Sequence, residues 1–478
     1  MLQIVERNCE IMDSKYRLFK TGLHISLIVL LLLYISISHD EINAISKTPF
    51  LAFSIVISVL YLIFYRRNSI FCYESFFLLL YILSAFFYNL VIENLLDTST
   101  VSAAFFNTSF SPEIENKGVL VNTISLVVFL LACIRVNERP SNILLKPRFT
   151  INRDFSLSIK LLSIATGVFI LYLFATGVIL SWFQYSNNVS DYSNLDVVYL
   201  TMLFLVLTSL EFSRLSTNLC DSFKAFIRGI NKVYLTEILT VSFLLLVSGN
   251  RNECLLILLP LVICYHIFIK PFNNKQFLIM LSVGIVLMVV IGLTRQSGTL
   301  DSLRGESISL YEITRDFGFV DNNTKYLIYY TDKNAPVGFG NALLNLFSSI
   351  PFLGGIIVSL TGWKYNIRTT DLTTQGMQVS SNMDSGLGTS LLGDLYYTGG
   401  FIFTIIFMYF FGWLMASLYR RFSIEKKYDI WSLIIYLFMF SNVVYCIRAE
   451  WTMPLRYIGF SFVILVVLRL FQPHKKQC

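Results

Sequence analysis

The sequence predicts an all-α polytopic membrane protein, and three observations carry that prediction. The 478-residue chain is 55% hydrophobic and 14% charged, against roughly 25% charged for an average soluble domain. Its mean hydropathy is +0.65, and its 42 Phe are too many for one globular core, because cores stop growing near about 250 to 300 residues. The apolar residues also fall in blocks of the length a bilayer demands, about 20 residues of helix for a hydrocarbon core of about 30 Å.

Twelve such blocks follow one another, at residues 22–38, 49–65, 70–92, 118–134, 157–180, 195–212, 233–248, 254–269, 277–293, 400–418, 430–447 and 455–471. The first follows a polar, mixed-charge stretch and lacks a small-residue cleavage site before His39, so it reads as a retained span rather than a secretory signal. Charges within the blocks are almost absent. Glu74, Lys160 and Glu237 lie within a turn or two of one membrane surface, where long side chains reach headgroups. The chain divides into transmembrane helices at 1–293, a large loop at 294–385, and final helices with a polar terminus at 386–478.

Orientation follows from Lys and Arg, which are concentrated in short cytoplasmic segments. With both termini inside, the cytoplasmic segments hold 25 of the 37 basic residues. The net charge of +7 is explained by these segments, which gives no reason to invoke nucleic acid. The eight cysteines are scattered without a CxxC pair and the four histidines lie far apart, so neither a disulfide framework, a metal site nor another cofactor is expected.

The 294–385 loop, about 90 residues long, is too long to be a passive connection. Apolar spacing predicts short surface helices at 306–317 and 341–350, an aromatic-rich stretch at 324–330, and an apolar segment at 353–363 too short to span. Its seven basic and eight acidic residues read mostly as a solvated surface. The pair Arg315-Asp316 is set apart, because it follows an amphipathic stretch that would bring it over the membrane. Trp363, Tyr365, Tyr329 and Tyr330 read as sugar-stacking rings or as an interfacial aromatic belt.

Basic residues that break the orientation rule are the informative ones. Arg251 lies in Ser248-Gly249-Asn250-Arg251-Asn252-Glu253, where Asn250 and Glu253 have capping-box spacing. It would occupy the first turn of a helix, whose free N–H groups and positive dipole end favour phosphate; an interfacial anchor is the other reading. Arg448 and Arg456 flank the last outer loop, and Pro454 places Arg456 near a second such helix start. Arg448 paired with Glu450 in a plain salt bridge is the alternative there. Residues 386–418 would make one helix of about 50 Å, longer than the bilayer core, so a break is expected at Gly399-Gly400. That break would hold Asp394 at the outer mouth, as a base or merely as a charge facing water.

The SGNR step at Arg251, the Arg315-Asp316 segment, the Ile350-Pro351 turn, the Gly386-x-Gly388-x-Ser390 to Gly399-Gly400 run and the final Arg-bearing span together resemble the bacterial O-antigen and enterobacterial common antigen polymerases, the Wzy-type family. The match lies mainly in residues 248–470. The resemblance implies a GT-C-like glycosyltransferase architecture in the bacterial inner membrane. It implies joining of undecaprenyl-pyrophosphate-linked oligosaccharide repeat units, donor and acceptor alike, on the periplasmic face, with a chain-length regulator protein as a further partner. Family arginines map onto Arg251, Arg315, Arg448 and Arg456. Fixed cations suit a leaving lipid pyrophosphate, and Asp316, Asp394 and Glu450 are candidates to take the acceptor proton. A flippase for the same lipid-linked glycan is the alternative, weakened by the lack of charge within the blocks. An O-antigen ligase is the third reading, weakened because the long loop has no His.

Overall fold

The computed structural model describes residues 2–37, 47–66, 70–86, 110–138, 148–149, 155–182, 195–216, 223–248, 251–284, 310–348, 350, 353–362, 367–381, 388–425 and 427–470. The principal helices are α1 (Leu2–Ile37), α2 (Thr48–Tyr65), α3 (Tyr73–Tyr81), α4 (Pro112–Asn137), α5 (Ser156–Ala175), α6 (Leu195–Ser216), α7 (Lys232–Val247) and α8 (Arg251–Cys264). They continue with α9 (Leu310–Asn334), α10 (Phe339–Ser348), α11 (Leu353–Thr361), α12 (Thr369–Ser381), α13 (Leu391–Tyr419), α14 (Ile430–Ser441) and α15 (Met453–Leu470). Among the described residues the sole departure from helix and loop is a parallel pair of two-residue strands, β1 (Arg148–Phe149) and β2 (Lys427–Tyr428).

Seven helices are long and apolar enough to cross a membrane: Ser14–Ser36, Thr48–Tyr65, Pro112–Asn137, Ser156–Ala175, Asp196–Leu215, Leu391–Ile424 and Met453–Leu470. Phe223–Gly229 and Lys232–Val247, bent by 102°, make an eighth if taken together. The sequence-based count of twelve is therefore not reached among the described residues. Tyr73–Phe86, Glu253–Ile269 and Ile430–Ser441 are apolar but shorter. Local breaks explain two of these: α8 carries Pro260 and passes into a π-helical turn at Tyr265–Ile269, and α14 stops at Asn442. The blocks at 70–92 and 277–293 extend past the described residues.

The axis of the bundle is α4. Ser111 accepts from the Ile114 N–H at its start, Pro112 needs no donor there, and Glu113 and Glu115 complement the positive end while Arg135 complements the other. Burial covers 94% of its most apolar window, against 17% for Ser14–Ser36. A helix apolar on every face must be enclosed, so α4 is the core and α1 turns most of its surface outward. Helix α13 packs on α4 at Gly412, where a Cβ would sit 2.7 Å from the Phe129 carbonyl oxygen. The break expected at the paired glycines is present, with Gly400 at φ 72° and ψ −167° inside α13.

Contacts sort the connections into two ends. Lys20 pairs with Glu138, Arg66 with buried Glu74 and with Asn137, Arg420 donates to the Val136 carbonyl (2.7 Å), and β1 pairs with β2. Arg469, in the last turn of α15, stacks over Trp431 beside β2 (4.7 Å). All belong to segments that the charge rule assigns to one face. At the other end, Lys47 pairs with Glu115 (3.0 Å) and Lys117 with Asp332 (2.6 Å).

The large loop differs from its sequence reading. From Leu310 on, the stretch at 306–317 is joined to that at 324–330 in α9, a single 25-residue helix, and it packs into the bundle instead of lying on the surface. Asp321 and Lys325 form a buried pair (2.6 Å), Asn122 of α4 donates to Asp321 (3.2 Å), and Thr324 donates to Ser390 (2.8 Å). Asn122 and Ser390 come from elsewhere in the chain, so local apolar spacing could not reveal them. The 353–363 segment is the nine-residue α11 and is too short to span, as expected.

Gly412→Ala should lower the unfolding midpoint in detergent, because backbone rather than a flexible side chain opposes the added methyl; overpacking of this kind costs about 1 to 3 kcal/mol. Gly22→Ala, whose methyl meets nothing within 4 Å, should leave the midpoint unchanged or raise it. Circular dichroism melts of the two variants check the contrast.

Candidate functional site

At the end of the bundle that carries α9 to α12 lies a cavity of about 420 Å³. Its wall is drawn from the starts of three helices. Thr369 opens α12 and Arg368 directly precedes it, Asp394, Tyr397 and Thr398 come from α13, and Arg456 comes from α15, with Glu450 and Thr452 from the loop before α15. Val337, Asn345, Ser348 and Ile367 complete it.

Each start is fixed locally. The Arg368 carbonyl accepts from the Leu372 N–H (2.9 Å), which sets Arg368 at the head of α12. Ser390 caps α13 by accepting from the Gly393 N–H (3.0 Å). Thr452 accepts from the Leu455 and Arg456 N–H groups (3.1 and 3.3 Å), so Pro454 falls in the first turn of α15 as its sequence position requires. Three helix starts around one cavity bring the positive ends of three peptide dipoles together.

Asp394 ties these pieces. It is 6% exposed, its Oδ1 accepts from the Thr369 hydroxyl and its Oδ2 from the Trp451 backbone N–H, both at 2.8 Å. Thr369 follows Arg368 and Trp451 follows Glu450, so one carboxylate fixes the backbone beside a cation and beside an acid. Thr370 donates to the Glu450 carboxylate at 3.4 Å. Two guanidinium groups and two carboxyl groups thus share one cavity wall. Such a wall can bind an anion, accept a proton and hold hydroxyl-bearing groups. Among the described residues no three His, Cys, Asp or Glu side chains gather as metal ligands.

A family model for the O-antigen polysaccharide polymerase Wzy matches residues 23–475. The chain belongs to this family. Neither the curated proteins nor the solved structures gave a match. The Wzy match begins at residue 23, so it takes in the first half of the chain as well as the residues 248–470 that carry most of the sequence resemblance.

Of the residues singled out from the Wzy resemblance and the local chemistry, Asp394, Glu450 and Arg456 line the cavity together. Arg448 is close by but contributes backbone: its carbonyl accepts from the Thr389 N–H (3.3 Å). Arg251 stands at the first position of α8. Its side chain, and those of Arg315 and Asp316 near the start of α9, lie outside the described residues. So do Asn250, Ile350-Pro351 as a complete turn, Trp363 and Tyr365. Arg368 and Thr369 were not anticipated as site residues. An available signal was the run Arg368-Thr369-Thr370-Asp371, a basic residue directly before a helix-start pattern, parallel to Thr452 through Arg456.

Replacing Asp394 separates a positioning role from proton transfer. In Asp394→Asn the amide oxygen can still accept from Trp451 and the amide nitrogen can donate to the Thr369 hydroxyl, so polymer formation should persist within about tenfold. Asp394→Ala, which orphans a buried backbone N–H at a cost of about 1 to 3 kcal/mol, should lower both the melting midpoint and the turnover far more. Paired measurements of melting and product formation decide the point, since a proton-accepting Asp394 would be lost equally in both variants.

Proposed function

We propose that this Wzy-family chain is a glycosyltransferase that joins undecaprenyl-pyrophosphate-linked oligosaccharide repeat units on the periplasmic face of the bacterial inner membrane. The observation that carries the proposal is the cavity where Arg368 and Arg456 meet Glu450 at three helix starts. The distribution of Lys and Arg supports cytoplasmic termini and a periplasmic cavity. A GT-C-type arrangement and a separate chain-length regulator protein belong to the same reading.

In this reading the lipid pyrophosphate of the donor lies against Arg368 and Arg456, and the acceptor sugar lies toward Glu450. The acceptor hydroxyl oxygen bonds to the anomeric carbon of the donor while the bond from that carbon to the phosphate oxygen breaks. The hydroxyl proton passes to Glu450, and the bonding electron pair leaves with the pyrophosphate. The leaving group gains negative charge as it departs, and the guanidinium groups and helix starts are placed before the reaction to stabilise it. Arginine suits a phosphate through its forked donors. Asp394, with both oxygens occupied, holds the two strands of backbone in register. A volume of about 420 Å³ falls in the range of about 300 to 1,000 Å³ usual for sites that enclose a small ligand.

Purified protein in liposomes, supplied with its lipid-linked repeat unit, should produce a ladder of joined units. Arg368→Ala and Arg456→Ala should each slow joining by about 10² to 10³, and Glu450→Gln by about 10² to 10⁴. Arg456→Lys should not restore the full rate, because one ammonium cannot reproduce a two-pronged contact. A ladder made equally well by both alanine variants would overturn the site.

A further inference from the structure

Three tyrosines lead away from the cavity. Tyr397 lines it, the Tyr330 ring lies 6.1 Å from the Tyr397 ring, and the Tyr326 ring lies 6.5 Å from that of Tyr330. Tyr326 and Tyr330 are four residues apart on α9 and therefore share one face of it. All three are half-buried. Their positions are fixed by backbone as well as side-chain contacts. The Tyr397 hydroxyl donates to the Ile367 carbonyl (3.4 Å), and the Val337 and Gly338 N–H groups donate to the Tyr397 and Thr398 carbonyls (3.0 Å each). At Gly376 of α12 a Cβ would lie 2.5 Å from the Tyr326 ring, so α12 presses its backbone directly against that tyrosine.

An interfacial belt does not account for this row. Belt tyrosines turn their rings toward headgroups at the ends of spans. Helix α9 is not among the helices apolar enough to span, and its Tyr326 and Tyr330 rings neighbour one another, with Tyr330 next to the cavity-lining Tyr397. A tyrosine offers a flat apolar face with a polar tip at little cost in conformational entropy. A pyranose offers the matching surface, a face of C–H bonds rimmed by hydroxyl groups. Lys333 and Asn334, exposed in the last turn of α9, add donors beside the row. Burial, followed by the neighbouring Tyr330 and Tyr329, pushes the Tyr326 hydroxyl above its ordinary value.

From this row we infer that Tyr397, Tyr330 and Tyr326 form a carbohydrate-binding strip that holds the glycan chain beside the cavity between additions. The inference rests on the polymerase reading and deepens it. The ring-to-ring steps are comparable with the length of one sugar residue, so the strip grips a short run of the chain rather than the reacting sugar alone. Its loss should penalise additions to long chains more than the first joining of two units.

The test uses the full-length protein in liposomes with its lipid-linked repeat unit, comparing Tyr330→Ala and Tyr330→Phe with the unsubstituted chain. Tyr330→Ala should slow the first joining less than threefold and slow additions to chains of several units more than tenfold. Tyr330→Phe, which keeps the face, should retain most of the product length. Soluble polysaccharide released by mild acid from the same cells should inhibit extension, and Tyr330→Ala should raise the concentration required at least fivefold. Product lengths unchanged in Tyr330→Ala, equal loss of first and later additions, or equal shortening in the Phe variant would each overturn the strip. Failure of the unsubstituted protein to join any units would instead overturn the polymerase reading on which the strip rests.

Discussion

A carboxylate removed from water must be given partners, and at Asp394 that requirement organises the site. Leaving a polar group unmatched at low dielectric costs several kcal/mol, and an unmatched charge costs more. Asp394 meets the demand with one hydroxyl and one backbone N–H, from residues 25 and 57 positions away in the chain. Satisfying one side chain therefore pins the head of α12, the head of α13 and the loop before α15 to a common point. Arg368 and Glu450 each precede a residue so pinned. The same two hydrogen bonds place the backbone beside them, and Thr370 adds a contact of its own to the Glu450 carboxylate.

The clamp is itself held in place by the bundle beneath it. Helix α13 can approach α4 closely because Gly412 leaves room for the Phe129 carbonyl. The break at Gly400 then separates the spanning part of α13 from the turns that carry Asp394 and Tyr397. On the same end of the bundle, Asn122, Asp321 and Lys325 join α4 to α9 inside the protein, and Tyr396 donates to Asp332 (3.0 Å), which also pairs with Lys117. Apolar surfaces of this chain could slide against one another at little cost. The buried polar partners fix register, because a shift of one turn would leave each of them unmatched.

The parts of the molecule that follow from local physics could be read from the sequence. Hydropathy located α1, α2, α4, α5, α6, α13 and α15. Pro454 marked a helix start, Gly399-Gly400 marked the break, and the alternation of basic segments sorted the connections into two groups, each of which forms ion pairs within itself. Arg456, Asp394 and Glu450 were chosen for their chemistry, and they share the cavity. What escaped was whatever depends on distant partners. The 25 residues of α9 read as two separate stretches because Asp321, Asn323 and Lys325 interrupt the apolar pattern, while Asn122 and Gly388, which pair with Asp321 and Asn323, lie far off in the chain. Arg368 read as one more solvated charge because nothing near it in sequence records that Thr369 is tied to Asp394.

The charge balance of the cavity bears on how the proposed reaction would proceed. The Glu450 carboxylate offsets part of the positive charge of Arg368 and Arg456 before reaction. A wall offset in this way binds a pyrophosphate less tightly than a purely cationic one would, which leaves the product able to depart. As the acceptor hydroxyl gives its proton to Glu450, one negative charge disappears from the wall, and the departing pyrophosphate gains negative charge at the same stage. The attraction between wall and leaving group therefore rises along the reaction, and it does so where stabilisation raises turnover rather than merely tightening substrate binding. A wall of arginines alone would supply the same cations from the outset and would lack this increase.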